Sequence, residues 1–315
     1  MIMEVHKNYR WEPLDYEKVT INIVNGIKNY CSSNNINKLV LGISGGLDSS
    51  VVAALVKLTG IHLIGVSMPS KSNEFDEHVS SLLIGEEFCD EYRTVELQDT
   101  FECVEKFCVK TSGLESTAIS QGNIKARLRM IAMYDIASKV GGLVLDTDNL
   151  TEDLLGFFTK HGDENDLSPI AGLWKHEVYE LAKYLLDHYF KDSEGLKAAI
   201  NLVPTDGNGV CDGGDMAQIA PGCTYEVVDD ILMKWVHLVP TLQEILFEKD
   251  FEYGEFKYYC DTYGKDIVKG IINRWVKTQF KRRFMPFMVD INSGDILERD
   301  GDPFSMFKPG LKEKK

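Results

Sequence analysis

An α/β chain built on a doubly wound parallel sheet with flanking helices, passing into a mainly helical C-terminal part, is what three features of the sequence predict. Short, wholly apolar runs recur at Leu39-Val40-Leu41-Gly42-Ile43, Ile61-His62-Leu63-Ile64-Gly65-Val66 and Leu143-Val144-Leu145, broken only by an edge histidine. Such runs mark strands covered on both faces. Helix-periodic stretches alternate with them, the pattern that feeds parallel strands through crossover helices. After residue 175 the periodicity is mainly helical.

The elements follow in order. Val19, Ile23, Ile27 and Tyr30 stand at helical spacing over 16–31. The first apolar run enters Ser44-Gly45-Gly46, and Asp48-Ser49-Ser50 opens a helix reaching Leu58. A helix over 75–89 and a strand over 92–97 come next. Ile124, Leu128, Ile131 and Ala132 mark one face of a long helix that ends at Gly141-Gly142. A Gly- and Asp-rich loop over 203–222 has the length of a lid or binding loop. No repeat or low-complexity linker interrupts the chain, so one domain is expected over 1–290, with a flexible tail over 291–315.

Composition limits the function. A net charge of −15 on 315 residues argues against a nucleic-acid partner, which needs an extended basic face. The seven cysteines are odd in number, scattered and without a CxxC pair, so they read as thiols of a reducing compartment. No apolar segment is long enough for a membrane span and the start lacks a secretory signal, so a cytoplasmic protein is expected.

The chemistry concentrates at Gly42-Ile43-Ser44-Gly45-Gly46-Leu47-Asp48-Ser49-Ser50. Paired glycines between a buried strand and a helix let backbone N–H groups approach an anion, and the helix N-terminus favours negative charge. The hydroxyls of Ser44, Ser49 and Ser50 add donors. Asp48 suits a phosphate site when Mg²⁺ lies between it and the phosphates. There is no GxxxxGK[ST], so this is not a Walker A loop. The bland alternative is a glycine turn with Asp48 as a helix cap.

The loop resembles the SGGxDS loop of the N-type ATP pyrophosphatases, whose fold is adenine nucleotide alpha hydrolase-like. Further stretches narrow the resemblance to the NAD⁺ synthetase family. Gln121-Gly-Asn-Ile-Lys-Ala-Arg127-Leu-Arg129-Met is similar to its N-I-x-A-R-x-R-M helix. Thr147-Asp148-Asn149-Leu-Thr-Glu152 followed by Gly156-Phe-Phe-Thr159-Lys160-His-Gly162-Asp163 resembles its T-D-N-x-x-E and G-F-x-T-x-x-G-D block. Asp166-Leu-Ser-Pro169 through Lys175, Pro204-Thr205-Asp206-Gly207 and Tyr225 to Asp229 continue the likeness, which covers roughly residues 16–285.

The resemblance implies an ammonia-dependent ligase that joins ATP, ammonia and deamido-NAD⁺, as a homodimer. ATP would bind residues 42–50, Thr147, Lys175 and Thr205, with Mg²⁺ on Asp48 and Glu152. Lys175 would neutralise the leaving pyrophosphate. Arg127, Lys160, Asp166 and Lys281 would hold deamido-NAD⁺, a surface ion pair being the alternative for Arg127. Arg129 and Asp163 would serve structural pairs. About 43 residues precede the loop, too few for a glutaminase domain, so ammonia would arrive free or from a separate protein. Two departures stand out: Phe280 where the family often has histidine, and Asp146 where it has a small residue. Cys211 and Cys223 read as incidental. The rivals are a tRNA-modifying pyrophosphatase, disfavoured by charge, and a nucleotide sensor without turnover.

Overall fold

The computed structural model describes residues 14–71, 75–203, 216, 219–220, 223–238, 240–282, 288–289 and 296–297. In chain order the elements are α1 (Tyr16–Ser33), β1 (Lys38–Gly42), α2 (Leu47–Thr59), β2 (His62–Ser67), α3 (Phe75–Phe88), β3 (Glu91–Thr94), α4 (Gln98–Ser112), α5 (Ala118–Val140) and β4 (Leu143–Leu145). They continue as α6 (Leu150–Leu155), α7 (Lys175–His188), α8 (Glu194–Asn201), α9 (Tyr225–Trp235), α10 (Pro240–Glu248), α11 (Gly254–Tyr263), α12 (Lys265–Lys277), β5 (Met288–Val289) and β6 (Ile296–Leu297). The described residues form two compact units, one within 12–150 and 158–215, the other within 151–157 and 216–315.

The first unit holds a four-stranded parallel sheet in the order β3-β2-β1-β4, as the apolar runs predict. Val40 of β1 sits opposite both Ile64 of β2 and Val144 of β4. Beyond β4 a single parallel bridge, Leu145 to Leu167, continues the ladder. The chain moves outward from β1 through β2 to β3, then returns to the other side of β1 for β4. That reversal is the switch point where open α/β sheets bind ligands, beyond the C-terminal ends of the strands. The segments leaving β1 and β4 are the glycine loop and the Thr147 turn.

Alternation along the strands fills both faces. Leu39 and Leu41 join α1, α2, α3, α7 and α8 in one core cluster, whereas Val40, Ile64, Val66 and Val144 pack with Met133 and Ala137 of α5. Every residue of α2 from Val51 to Val56 is fully buried, as expected of a helix that is apolar all round.

Three expectations shift. On α1 the buried stripe is Thr20, Val24, Ile27 and Cys31, and Tyr30 is exposed. On α5 the buried positions are Gly122, Lys125, Ala126, Met133 and Ala137, while Ile131 faces outward. Small residues let α5 lie close to β1, where a Cβ on Gly42 would stand 3.1 Å from the Met133 sulfur. The third strand spans Glu91–Thr94 and leaves Val95 exposed. Helix α4 has no counterpart among the expected elements, because its polar sequence buries only Phe101.

The second unit is helical, with an aromatic centre. Trp235 and Trp275 are fully buried, edge to face at 5.9 Å, and Phe247, Phe251 and Phe256 surround Trp235. The lid loop expected over 203–222 lies outside the described residues except at its margins, as does the tail over 291–315 apart from β6.

Candidate active site

The glycine loop is shaped by bonds within itself and to α3. Gly45 adopts φ +87°, and a Cβ there would fall 2.1 Å from the Glu77 carbonyl oxygen, so only glycine fits. The buried Ser80 hydroxyl donates to the Gly45 carbonyl at 2.7 Å and fixes the turn from outside. Ser44 is exposed; its Oγ accepts from Gly46 N at 3.1 Å and lies 2.9 Å from Ser49 Oγ. Ser49 and Ser50 are buried and turn back to the Gly46 carbonyl at 3.2 and 2.8 Å. Sequence reasoning offered all three hydroxyls to an anion, but two of them close the first turn of α2.

Asp48, in that first turn, is forked. Asn149 Nδ2 donates to Oδ1 at 2.9 Å, and the Lys175 ammonium pairs with Oδ2. Lys175 is only 3% exposed, so its charge is buried against Asp48. It opens α7, where the buried Glu177 carboxylate accepts from Trp174 N at 3.0 Å and locks the helix start. Asn149 is fully buried. Its turn is held by Leu150 N donating to the Leu173 carbonyl at 2.9 Å, two residues before Lys175.

Asp146 explains the turn's shape. Its buried carboxylate accepts from Asp148 N at 2.7 Å and Asn165 N at 3.0 Å, and it also bonds Ser168. Burial pushes its pKa up, and the backbone donors pull the other way. The departure from the family residue is therefore a buried brace that sets the Thr147 turn against the 165–168 segment. Thr147 is half-buried on that turn.

Arg127 and Lys160 are brought together: the exposed Arg127 guanidinium donates to the Lys160 carbonyl at 3.2 Å. Asp166 is exposed, yet its Oδ1 accepts from Tyr134 Oη and its Oδ2 from Val144 N, both at 3.0 Å. Burial, then the bond to Asp166, pushes the Tyr134 phenol up to about 12. Arg129 donates to the Met68 carbonyl with Asp163 and Glu77 supplying negative charge nearby, and Asp163 accepts from Thr159 N. Each thus bonds to a backbone group.

Glu152 and Lys281 belong to the second unit. Glu152 is half-buried in the first turn of α6. The helix's Thr151 hydroxyl donates to the buried Asp229 carboxylate at 2.6 Å. At the other end of α6 the carbonyls of Leu154, Leu155 and Gly156 accept from Arg282 (2.7 Å), Arg274 (3.0 Å) and Lys281 (2.8 Å). Cations there satisfy orphan carbonyls and the negative end of the dipole. Phe280 is exposed. Thr205 lies outside the described residues. Sequence reasoning missed Asn149 and Ser80 as site-forming residues. Asn149 stood inside the matched T-D-N block; Ser80 carried no signal, because an ordinary helix serine becomes informative only once α3 docks.

Comparison with known proteins follows the same lines. The NAD synthase family model matches residues 19–284. The NH(3)-dependent NAD(+) synthetase of Finegoldia magna is 34% identical over 252 residues, covering 78% of this chain and 94% of that one. Its namesake from Fusobacterium nucleatum is 28% identical over 88% of this chain and 97% of its own. Among solved structures, NMN synthetase from Francisella tularensis superposes with a TM-score of 0.68 at 26% identity, over 86% of this chain and 98% of that one. The NH3-dependent NAD synthetase of Campylobacter jejuni, in complex with a nitrate ion, gives 0.62 at 26%, over 88% and 100%. With the glycine loop, the T-D-N turn and Lys175 all inside the matched span, the chain belongs to the NAD synthase family.

Proposed function

We propose that this chain amidates deamido-NAD⁺ to NAD⁺ with ATP and ammonia. The nicotinate carboxylate attacks the α-phosphorus of ATP, the bond to the β-phosphate oxygen breaks, and pyrophosphate leaves. Ammonia then adds to the acyl carbon, a proton is lost, and the C–O bond to AMP breaks. The observation that carries the reading is the Asp48 fork beside a glycine loop at the sheet's switch point. Positioning and charge neutralisation do most of the work in such transfers. The loop's backbone donors and Lys175 would meet the phosphates, with Thr147 and, from the 203–222 loop, Thr205.

Asp48 offers hard carboxylate oxygens, the donor type that Mg²⁺ takes alongside substrate phosphates. By resemblance Glu152 is the second such carboxylate. Mg²⁺ would offset charge on the transferring phosphates. Arg127, Lys160, Asp166 and Lys281 are the proposed contacts to deamido-NAD⁺. In this reading the protein is a cytoplasmic homodimer fed by free ammonia or by a separate ammonia-supplying protein, which sedimentation and a comparison of ammonia with glutamine would check. Among the described residues no helix is long and apolar enough to cross a membrane.

The test is incubation with deamido-NAD⁺, ATP, Mg²⁺ and NH₄⁺, assayed for NAD⁺ and AMP in equal amounts. No product, with an Asp48→Ala variant indistinguishable from wild type, would sink the assignment. A second reading draws on the likeness to NMN synthetase: the acceptor is nicotinate mononucleotide, with the same chemistry at the carboxylate. The ratio of kcat/KM for the two acids decides between them.

A further inference from the structure

Asp48 has its backbone fixed in the first turn of α2, but its carboxylate must also be aimed. Two donors aim it, and they differ in kind. Lys175 brings a positive charge to Oδ2, whereas Asn149 brings a neutral amide to Oδ1. A phosphate ligand competes with Asp48 for the Lys175 ammonium; it does not compete in the same way for a neutral amide. A neutral donor also holds the carboxylate without cancelling its charge, as a second cation would.

Asn149 is itself held. It is fully buried, the preceding residue's N–H is fixed by Asp146, and the following one is bonded to Leu173. Little torsional freedom remains, so its amide presents a fixed N–H to Oδ1. We propose that Asn149 is a positioning residue that keeps the Asp48 carboxylate aimed when Lys175 turns to the phosphates of ATP. It acts through Asp48 and touches no reacting atom. The Asp146 brace, by shaping the turn, serves the same end. This rests on the reading of Asp48 as a Mg²⁺ carboxylate.

The test uses calorimetric titration with an α,β-methylene ATP analogue, in Mg²⁺ and in EDTA. Wild type is compared with Asn149→Ala and with Asn149→Leu, which keeps the branching at Cγ but drops the donor. The affinity gained from Mg²⁺ should fall about tenfold in both variants, the order expected for one hydrogen bond to a charged group, with metal-free affinity held within about twofold. An unchanged gain, or equal losses with and without metal, overturns the proposal, because the second is what a merely structural asparagine would do. Urea midpoints are measured alongside, and failure of both variants to fold also overturns it. A wild-type protein that binds no analogue under either condition refutes the ATP reading itself, a distinct outcome.

Discussion

Lys175 opens α7 with its ammonium against a carboxylate, whereas Lys281 is one of three cations whose donors go to carbonyls at the end of α6. Sequence reasoning gave both lysines to ligands. The difference lies in what each lysine leaves behind when it moves. If Lys175 turns to a phosphate, Asp48 keeps Asn149 and can accept a metal ion in its place. If Lys281 leaves Gly156, a helix-terminal carbonyl loses its donor. An ion pair beside a glycine loop can exchange partners, and a helix cap is committed to the fold.

The comparison can be broken most sharply at Lys175. Replacing Lys175 with Met should lower kcat on the order of 10²–10³-fold, the loss typical of one transition-state donor. NAD⁺ formation measures it, and a near-normal rate would show that Lys175 serves only Asp48. Gly45→Ala comes next, because the new methyl meets the Glu77 carbonyl in a left-handed turn. Urea unfolding should show a loss of about 3 kcal/mol.

At the other region the order of effects reverses. Arg282→Ala removes donors to the Leu154 and Trp275 carbonyls and should cost about 2 kcal/mol of stability. Its kcat should stay close to wild type; a collapse of kcat in a folded variant would erase the difference between the two regions. Lys281→Met should cost about 1 kcal/mol, with a raised KM for deamido-NAD⁺ and unchanged kcat. An unaltered KM would reduce Lys281 to a cap alone.

The smallest expected effect is a pH dependence at Asp146. Burial raises its folded pKa above the unfolded value, so its contribution is fully present below about pH 4 and is lost as pH rises through the folded pKa. The stability of wild type relative to Asp146→Asn should therefore decline from pH 4 upward. A rising difference would mean that the backbone donors outweigh burial.

Much of the first unit was legible from residue patterns. Apolar runs at β1, β2 and β4 required a sheet covered on both faces, and the run into Ser44-Gly45-Gly46 placed a glycine loop at a strand end. Helix faces were less legible: on α1 and α5 the buried stripe differs from the one expected, because small or polar residues such as Thr20 and Gly122 take core positions. Apolar spacing identifies a helix, but close approach to a strand decides which face turns inward.

The local chemistry of the site was present in the sequence: glycines that permit the turn, an aspartate at a helix start, a lysine opening another helix. These follow from short-range sterics and the helix dipole, which act over a few residues. Their partners were decided only by the tertiary structure. Asn149 reaches Asp48 across 101 positions and Lys175 across 127, so no local rule connects them. Ser80 supports Gly45 from α3, and Asp146 became a brace once the 165–168 segment lay beside β4. Hydrogen bonds form between groups that packing brings within about 3 Å, and packing is a property of the whole chain.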